Sequence, residues 1–196
     1  MDGGEEGDWL AGGDDDDILS GAEGNDILYG GAGRDLLNGG KDNDSLIGGQ
    51  GEDTLVGGAG HDIIQGGPGD DYLTGGDGND LFYYQLGRDG TDTITDFTAR
   101  GESILSLGDT LVLYNASSGL DINDIVTYTD GQNTYLFVKN EGDDIHMNGD
   151  GIILQGVALP ADPGIDFHGN EAFTILQMAG LDIRYEADLF PEFAEA

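Results

Sequence analysis

Aspartate recurs every nine residues along the first part of the chain, at Asp8, Asp17, Asp26, Asp35, Asp44, Asp53, Asp62, Asp71 and Asp80. Acids repeated at a fixed period are candidate ligands for a hard cation, since carboxylates brought into register repel unless positive charge lies between them. Laid out in nines, residues 3–83 form nine units without an insertion: GGEEGDWLA, GGDDDDILS, GAEGNDILY, GGAGRDLLN, GGKDNDSLI, GGQGEDTLV, GGAGHDIIQ, GGPGDDYLT and GGDGNDLFY. Position six is always Asp. Position eight is always large and apolar, as Leu10, Leu19, Leu28, Leu37, Leu46, Leu55, Ile64, Leu73 and Phe82.

One unit cannot fold alone. A three-residue strand buries one side chain, while a six-residue turn loses much conformational entropy, most of all at Gly. Stacking must supply the core. A strand and a tight turn, twice over, make an 18-residue coil, and successive coils lie about 4.8 Å apart, the strand spacing of a sheet. The Asp of turn n then lies over the Asp of turn n+2. Two carboxylates at that spacing repel by about 3.5 kcal/mol at an effective dielectric of about 20. Ca–O distances of about 2.3–2.6 Å place oxygens on opposite sides of a calcium ion about 4.6–5.2 Å apart, which matches the gap; magnesium is too small. The ion needs six to eight hard oxygens. Glycine at positions two and four lets the turns aim carbonyls inward, which makes Gly31, Gly49, Gly58, Gly67 and Gly76, with Gly24, Gly33, Gly51, Gly60, Gly69 and Gly78, part of the same site type as the aspartates.

All nine units resemble the nonapeptide GGXGXDXUX of the repeats-in-toxin (RTX) family, where U is a large apolar residue. The resemblance implies an all-β fold, a right-handed parallel β-roll with calcium in two rows, each ion held by Asp carboxylates and loop carbonyls of turns n and n+2. Nine turns then give seven full sites. Glu6, Asp15 and Asp42 replace Gly at position four and Ala22 replaces it at position two. Asp tolerates the left-handed region, so Glu6 marks the first turn as the weakest. The competing description is a disordered acidic, Gly-rich linker; nine in-phase apolar positions argue against it, although it describes the chain without calcium.

Composition explains why a brace is needed. Against 40 Asp and Glu stand six Lys and Arg, a formal charge of -34. Residues 1–83 hold 20 of those acids and 24 of the 37 glycines, with Arg34 and Lys41 as their basic residues. Self-repulsion opposes compaction, and nucleic acid and anionic membrane are poor partners. With no Cys, neither a disulfide nor a thiolate site can help. MDGGEEGDWL lacks the features of a signal peptide, and no stretch reaches the about 18 apolar residues of a membrane span. Met1 stands directly before an in-phase repeat, which predicts a longer parent chain.

From Tyr84 the phase is lost, and GTDTI at 90–94 repeats GNDLF at 78–82 after three inserted residues. This reads as a last, degenerate turn with Asp92 in the ligand position and Asp89 and Asp96 nearby. Short apolar runs follow (DTITDF, DTLVLYN, DIVTY, TYLFVKN, DIHMN, GIILQGV), broken by DGQN and NGDG, which predicts a β-rich region. Asn170 and Glu171 can start one short helix across AFTILQMA, Gly180 can close it, and LDIRY is a final strand. The expected division is therefore a β-roll over 3–83 and a C-terminal capping region over 84–196, which covers the exposed end of the roll. Residues 78–185 also resemble, more loosely, the C-terminal target domain of type I secreted proteins, especially giant bacterial adhesins. That implies export through type I secretion machinery, without an N-terminal signal peptide, to the cell surface or medium.

Other chemistry has little support. His61 occupies variable position five of a repeat, and His146 and His168 show no metal-ligand spacing. Ser117 and Ser118 lack a nucleophile elbow. Position three offers no Thr file of the kind ice-binding rolls use. The sequence therefore predicts a monomeric calcium-binding module that is not an enzyme, adhesin-derived or, alternatively, attached to a secreted epimerase, protease or lipase.

Overall fold

A computed structural model of the chain describes residues 1–85, 88–98, 108–114, 125–129, 132–138, 151–157, 167–168 and 182–186. The nine-residue units become strands that alternate between two sheets. One sheet takes β1 (Asp2–Gly4), β3 (Ile18–Glu23), β5 (Leu36–Lys41), β7 (Thr54–Gly60), β9 (Tyr72–Gly78) and β11 (Thr91–Ile94) in that order. The other takes β2 (Trp9–Asp14), β4 (Ile27–Ala32), β6 (Ser45–Gln50), β8 (Ile63–Gln65) and β10 (Leu81–Gln85). Neighbours are parallel and offset by 18 residues up to β10, as in Leu10 opposite Leu28 and Leu19 opposite Leu37, and by 21 between β9 and β11. The result is an all-β parallel solenoid of about five coils.

Both sheets run on past residue 83. In the second, β12 (Thr110–Tyr114) pairs with β10 and β17 (Asp182–Glu186) with β12, all parallel. In the first, β15 (Gly151–Leu154) pairs parallel with β11, and β14 (Thr134–Val138), β13 (Ile125–Thr129) and β16 (Phe167–His168) then extend the sheet antiparallel. The expected helix over 170–179 lies outside the described residues. No helix among the described residues is long and apolar enough to cross a membrane.

Position eight builds the core. Leu19, Leu28, Leu37, Leu46, Leu55, Ile64, Leu73 and Phe82 are buried in one cluster, which Ile94 and Leu111 continue in register. Each such burial contributes about 1.5–3 kcal/mol. Apart from β1 and β8, the strands are longer than the three residues expected from the repeat. Pairing continues into the turn, so Gly31 stands opposite Gly49 and Ala32 opposite Gln50. Stacked turns of identical shape bring their own N–H and C=O groups into register, and hydrogen bonding satisfies them there.

Candidate metal centre

From Asp26 to Asp80, each Asp at position six folds its carboxylate back along the solenoid to the Asp one coil earlier. The N–H of Asp26 donates to Oδ1 of Asp44 at 2.8 Å, that of Asp44 to Asp62 at 2.8 Å, and that of Asp62 to Asp80 at 2.9 Å. On the other side Asp17 donates to Asp35, Asp35 to Asp53 and Asp53 to Asp71, each at 2.8 Å. Asp8, in the first coil, donates to Asp26 at 2.7 Å. Two columns of aspartates result, one on each side, with one oxygen of each carboxylate from Asp26 to Asp80 engaged.

The other oxygen is not. Oδ2 of Asp26, Asp35, Asp44, Asp53, Asp62, Asp71 and Asp80 is buried and has no hydrogen-bond partner in the protein. A buried anionic oxygen without a donor is costly. Burial, against the pull of the backbone N–H, pushes the carboxyls of Asp44 and Asp53 up to about 6 and that of Asp71 up to about 7, and raises Asp35, Asp62 and Asp80 as well. Neighbouring carboxylates add to the rise, as Asp62 and Asp26 do at Asp44. Among the described residues the ion pairs offer no relief: those of Arg34 with Glu52, at 3.1 Å, and of Lys41 with Glu23 lie on exposed side chains at turn positions five and three.

Oδ2 faces a glycine at position one. A methyl carbon built on Gly39 would lie 2.4 Å from Oδ2 of Asp44 and 2.7 Å from the carbonyl oxygen of Gly57 in the next coil, and Gly21, Gly30, Gly48 and Gly57 have the same neighbours. A carboxylate oxygen and a carbonyl oxygen thus approach one spot that only glycine leaves open. Among the described residues no three acidic or imidazole side chains converge on one point. A metal held here would draw on turn carbonyls as well as carboxylates, an all-oxygen hard set that suits calcium.

The glycines singled out by sequence all adopt the left-handed region: Gly31, Gly49, Gly58, Gly67 and Gly76 at position two, and Gly24, Gly33, Gly51, Gly60, Gly69 and Gly78 at position four, with φ between 101° and 156°. At Gly51 a side chain is impossible on two counts, a φ of 129° and the Gly33 carbonyl 1.7 Å from where Cβ would stand. Asp15, Asp42 and Ala22 accept the same region at φ 74°, 72° and 81°, whereas Glu6 is not among the positive-φ residues. The first turn therefore departs from its neighbours at Glu6.

Asp92 stands in register with Asp71, whose N–H donates to its Oδ1 at 3.1 Å. Asp96 instead accepts from the N–H groups of Gly75 and Gly76, at 2.9 and 2.8 Å. Sequence reasoning missed three features. Position one is Gly in all nine units, a more regular signal than position two or four. Asp109 accepts from the N–H of Asp80 at 2.9 Å, and its DTLV at 109–112 duplicates DTLV at 53–56. His61 belongs to an exposed ladder at position five: its N–H donates to Oδ1 of Asn43, and its Nδ1 accepts from the N–H of Asn79.

Fold and site together define a parallel β-solenoid of calcium-type nonapeptide turns. The family comparison says the same: residues 2–37, 31–64 and 56–94 match the RTX calcium-binding nonapeptide repeat, four copies to the model, so residues 2–94 carry repeats of a kind that binds calcium. No curated protein matches the chain. Among solved structures it is similar to the extracellular lipase LipA from Serratia marcescens, at 17% identity over 76% of this chain and 37% of that one, with a TM-score of 0.34. It is also similar to the AlgE6R3 subunit from the Azotobacter vinelandii mannuronan C5-epimerase, at 25% identity over 79% of this chain and 73% of that one, with a TM-score of 0.28. The chain thus spans little more than a third of the lipase's length.

Proposed function

We propose that this chain is a calcium-dependent folding and secretion module at the C-terminal end of a larger exported protein, an adhesin, with no catalysis of its own. The observation that carries this reading is the seven buried, partnerless Oδ2 atoms from Asp26 to Asp80 in a chain of charge -34. One orphaned oxygen per turn from the third repeat onward supports about seven calcium positions, held by Asp8 to Asp80 with the position-two and position-four turns. When bound, calcium supplies the positive charge that these columns lack. The position-six carboxylates keep the chain expanded where calcium is scarce and allow the turns to close where it is plentiful, since a ligand that binds only the folded form adds directly to stability. Residues 84–196 serve as the capping and export region, carried by type I secretion machinery without membrane insertion, and the product acts as a monomer outside the cell.

Export tests this. In cells with a type I exporter, a reporter joined to the whole chain should reach the medium, and removal of residues 84–196 should abolish its release. Release that survives the truncation, or that needs an N-terminal leader, contradicts the reading. A second reading, a module attached to a secreted enzyme, is favoured by the exposed, uncharged side chains of Trp9, Ile27 and Ile63 along one sheet, which suit contact with a polymer. Binding of the folded chain to a polysaccharide, lost in Trp9→Ala, would support that reading over the first.

A further inference from the structure

The outward faces of the two sheets differ in chemistry. Position eight points into the core, so positions seven and nine of each strand point outward, and in none of the nine units is either of them charged, although 23% of the chain is. A solvated strand does not require this, since charged and hydroxyl side chains serve there and guard against association. On the sheet of β1, β3, β5, β7 and β9, the apolar Ile18, Leu36 and Tyr72 at position seven have Ser20, Asn38 and Thr74 beside them at position nine, which leaves a single file. On the sheet of β2, β4, β6, β8 and β10 both rows are largely apolar. Trp9, Ile27, Ser45, Ile63 and Leu81 stand in register at position seven, with Ala11, Tyr29, Ile47, Gln65 and Tyr83 beside them at position nine. Trp9 is 79% exposed, Ile27 50% and Ile63 43%. Contiguous apolar surface of this kind marks an interaction site, where scattered single residues do not.

Acids border this strip on both sides. Where its strands begin lie the exposed Glu5, Glu6, Glu23, Asp42 and Asp77, and where they end lie the exposed Asp14, Asp15, Asp16, Glu52 and Asp70. Each border has one Lys or Arg, and both are already ion-paired, Lys41 with Glu23 and Arg34 with Glu52. Five strands at about 4.8 Å span about 19 Å, the length of about 13 helical residues. One apolar stripe of a helix about 10 Å across covers two rows of side chains and carries its flanking positions over the acids on either side. The branched aliphatic side chains of Ile27, Ile47 and Ile63 suit such a stripe, whereas a sugar needs several polar groups placed among its apolar contacts.

We infer that the outer face of β2, β4, β6, β8 and β10 docks a basic amphipathic helix of another polypeptide, its apolar stripe lying along the roll on Trp9, Ile27 and Ile63 and its Lys or Arg side chains over the acid borders. Opposite charge on both flanks fixes the orientation of the helix and speeds its encounter with the roll. The surface is the one considered above for a polysaccharide; the occupant differs.

Trp9 is the sole tryptophan, so its emission reports on this face. The full chain in saturating calcium, its β signal checked by circular dichroism, is titrated with a Trp-free helical peptide of about 15 residues that carries Leu at i, i+3, i+4 and i+7 and Lys on both flanks. A saturable blue shift of the Trp9 emission is expected. Ile27→Thr and Ile63→Thr should each weaken binding about tenfold, and Ile18→Thr on the other sheet should leave it unchanged. Should one of the first two variants fail to fold, the other decides. A scrambled peptide of the same composition, and one with Glu in place of Lys, should both bind about tenfold more weakly or worse. Equal binding of the scrambled peptide, which is charge attraction alone, overturns the inference, as does an equal effect of Ile18→Thr and Ile63→Thr or the absence of any shift. A shift produced by a soluble neutral β-glucan and not by the peptide overturns it in favour of the polysaccharide.

Discussion

Replacing Asp44 by Asn and by Ala separates the two roles of its carboxylate. Oδ1 accepts from the Asp26 N–H at 2.8 Å, and Oδ2 is buried without a partner in the protein. Asn keeps the first interaction and removes the charge and second oxygen. Ala removes both and strands the buried Asp26 N–H, a cost of about 1–3 kcal/mol with or without calcium. If ions are shared between successive coils, as proposed, Asp44 serves two positions, one shared with Asp26 and one with Asp62. At a concentration of about 100 times Kd each position contributes about 2.7 kcal/mol, so Asp44→Asn should lose up to about 5 kcal/mol of stability. Asp8 lies at the end of its column and serves one position, so Asp8→Asn should lose about half as much. Thermal unfolding followed by circular dichroism gives the stabilities, and calorimetric titration gives the bound calcium. Equal losses of calcium from Asp44→Asn and Asp8→Asn, both folded, refute the sharing of ions between coils.

Gly39→Ala should destabilise the calcium-loaded roll by about 3 kcal/mol and weaken calcium binding, because its Cβ would lie 2.4 Å from Asp44 Oδ2; chemical denaturation checks it. Magnesium at equal concentration should raise the melting temperature far less than calcium, since its short, strictly octahedral shell cannot span stacked carboxylates. Acid should act in opposite directions with and without metal. The raised carboxyls of Asp44, Asp53 and Asp71 make the metal-free roll bind more protons than the unfolded chain from about pH 4 to about 7, so its stability is present at low pH and lost as pH rises through that window. Circular dichroism in chelator should therefore show more order near pH 5 than at pH 7. Calcium affinity, by contrast, should fall over the same descent as protons compete for Oδ2.

The two columns and the core were legible in the sequence because one period governs both: position six carries the charge and position eight the apolar ladder, and an 18-residue coil brings each into register with itself. What escaped lies where that period breaks or where side chains act through neighbours. Asp109 joins its column by a 29-residue step from Asp80, which no nine-residue register predicts. The capture of Asp109 Oδ2 by the Thr98 N–H joins two stretches outside the nine-residue period. The need for glycine at position one depends on a neighbour five residues on, since a Cβ at Gly39 would lie 2.4 Å from Oδ2 of Asp44. The ladder through Asn43, His61 and Asn79 mixes residue types, and composition alone does not reveal that amide and imidazole groups can accept the same N–H.

The central claim is that the internal contacts of residues 3–83 do not suffice to hold the charged turns together until calcium offsets the repulsion of their aspartates. Far-UV circular dichroism of the chain at neutral pH, first in excess chelator and then through a calcium titration, measures it directly. The account predicts a disordered spectrum in chelator and a cooperative rise of β signal as calcium is added. A β spectrum that persists in chelator and does not change with calcium contradicts it.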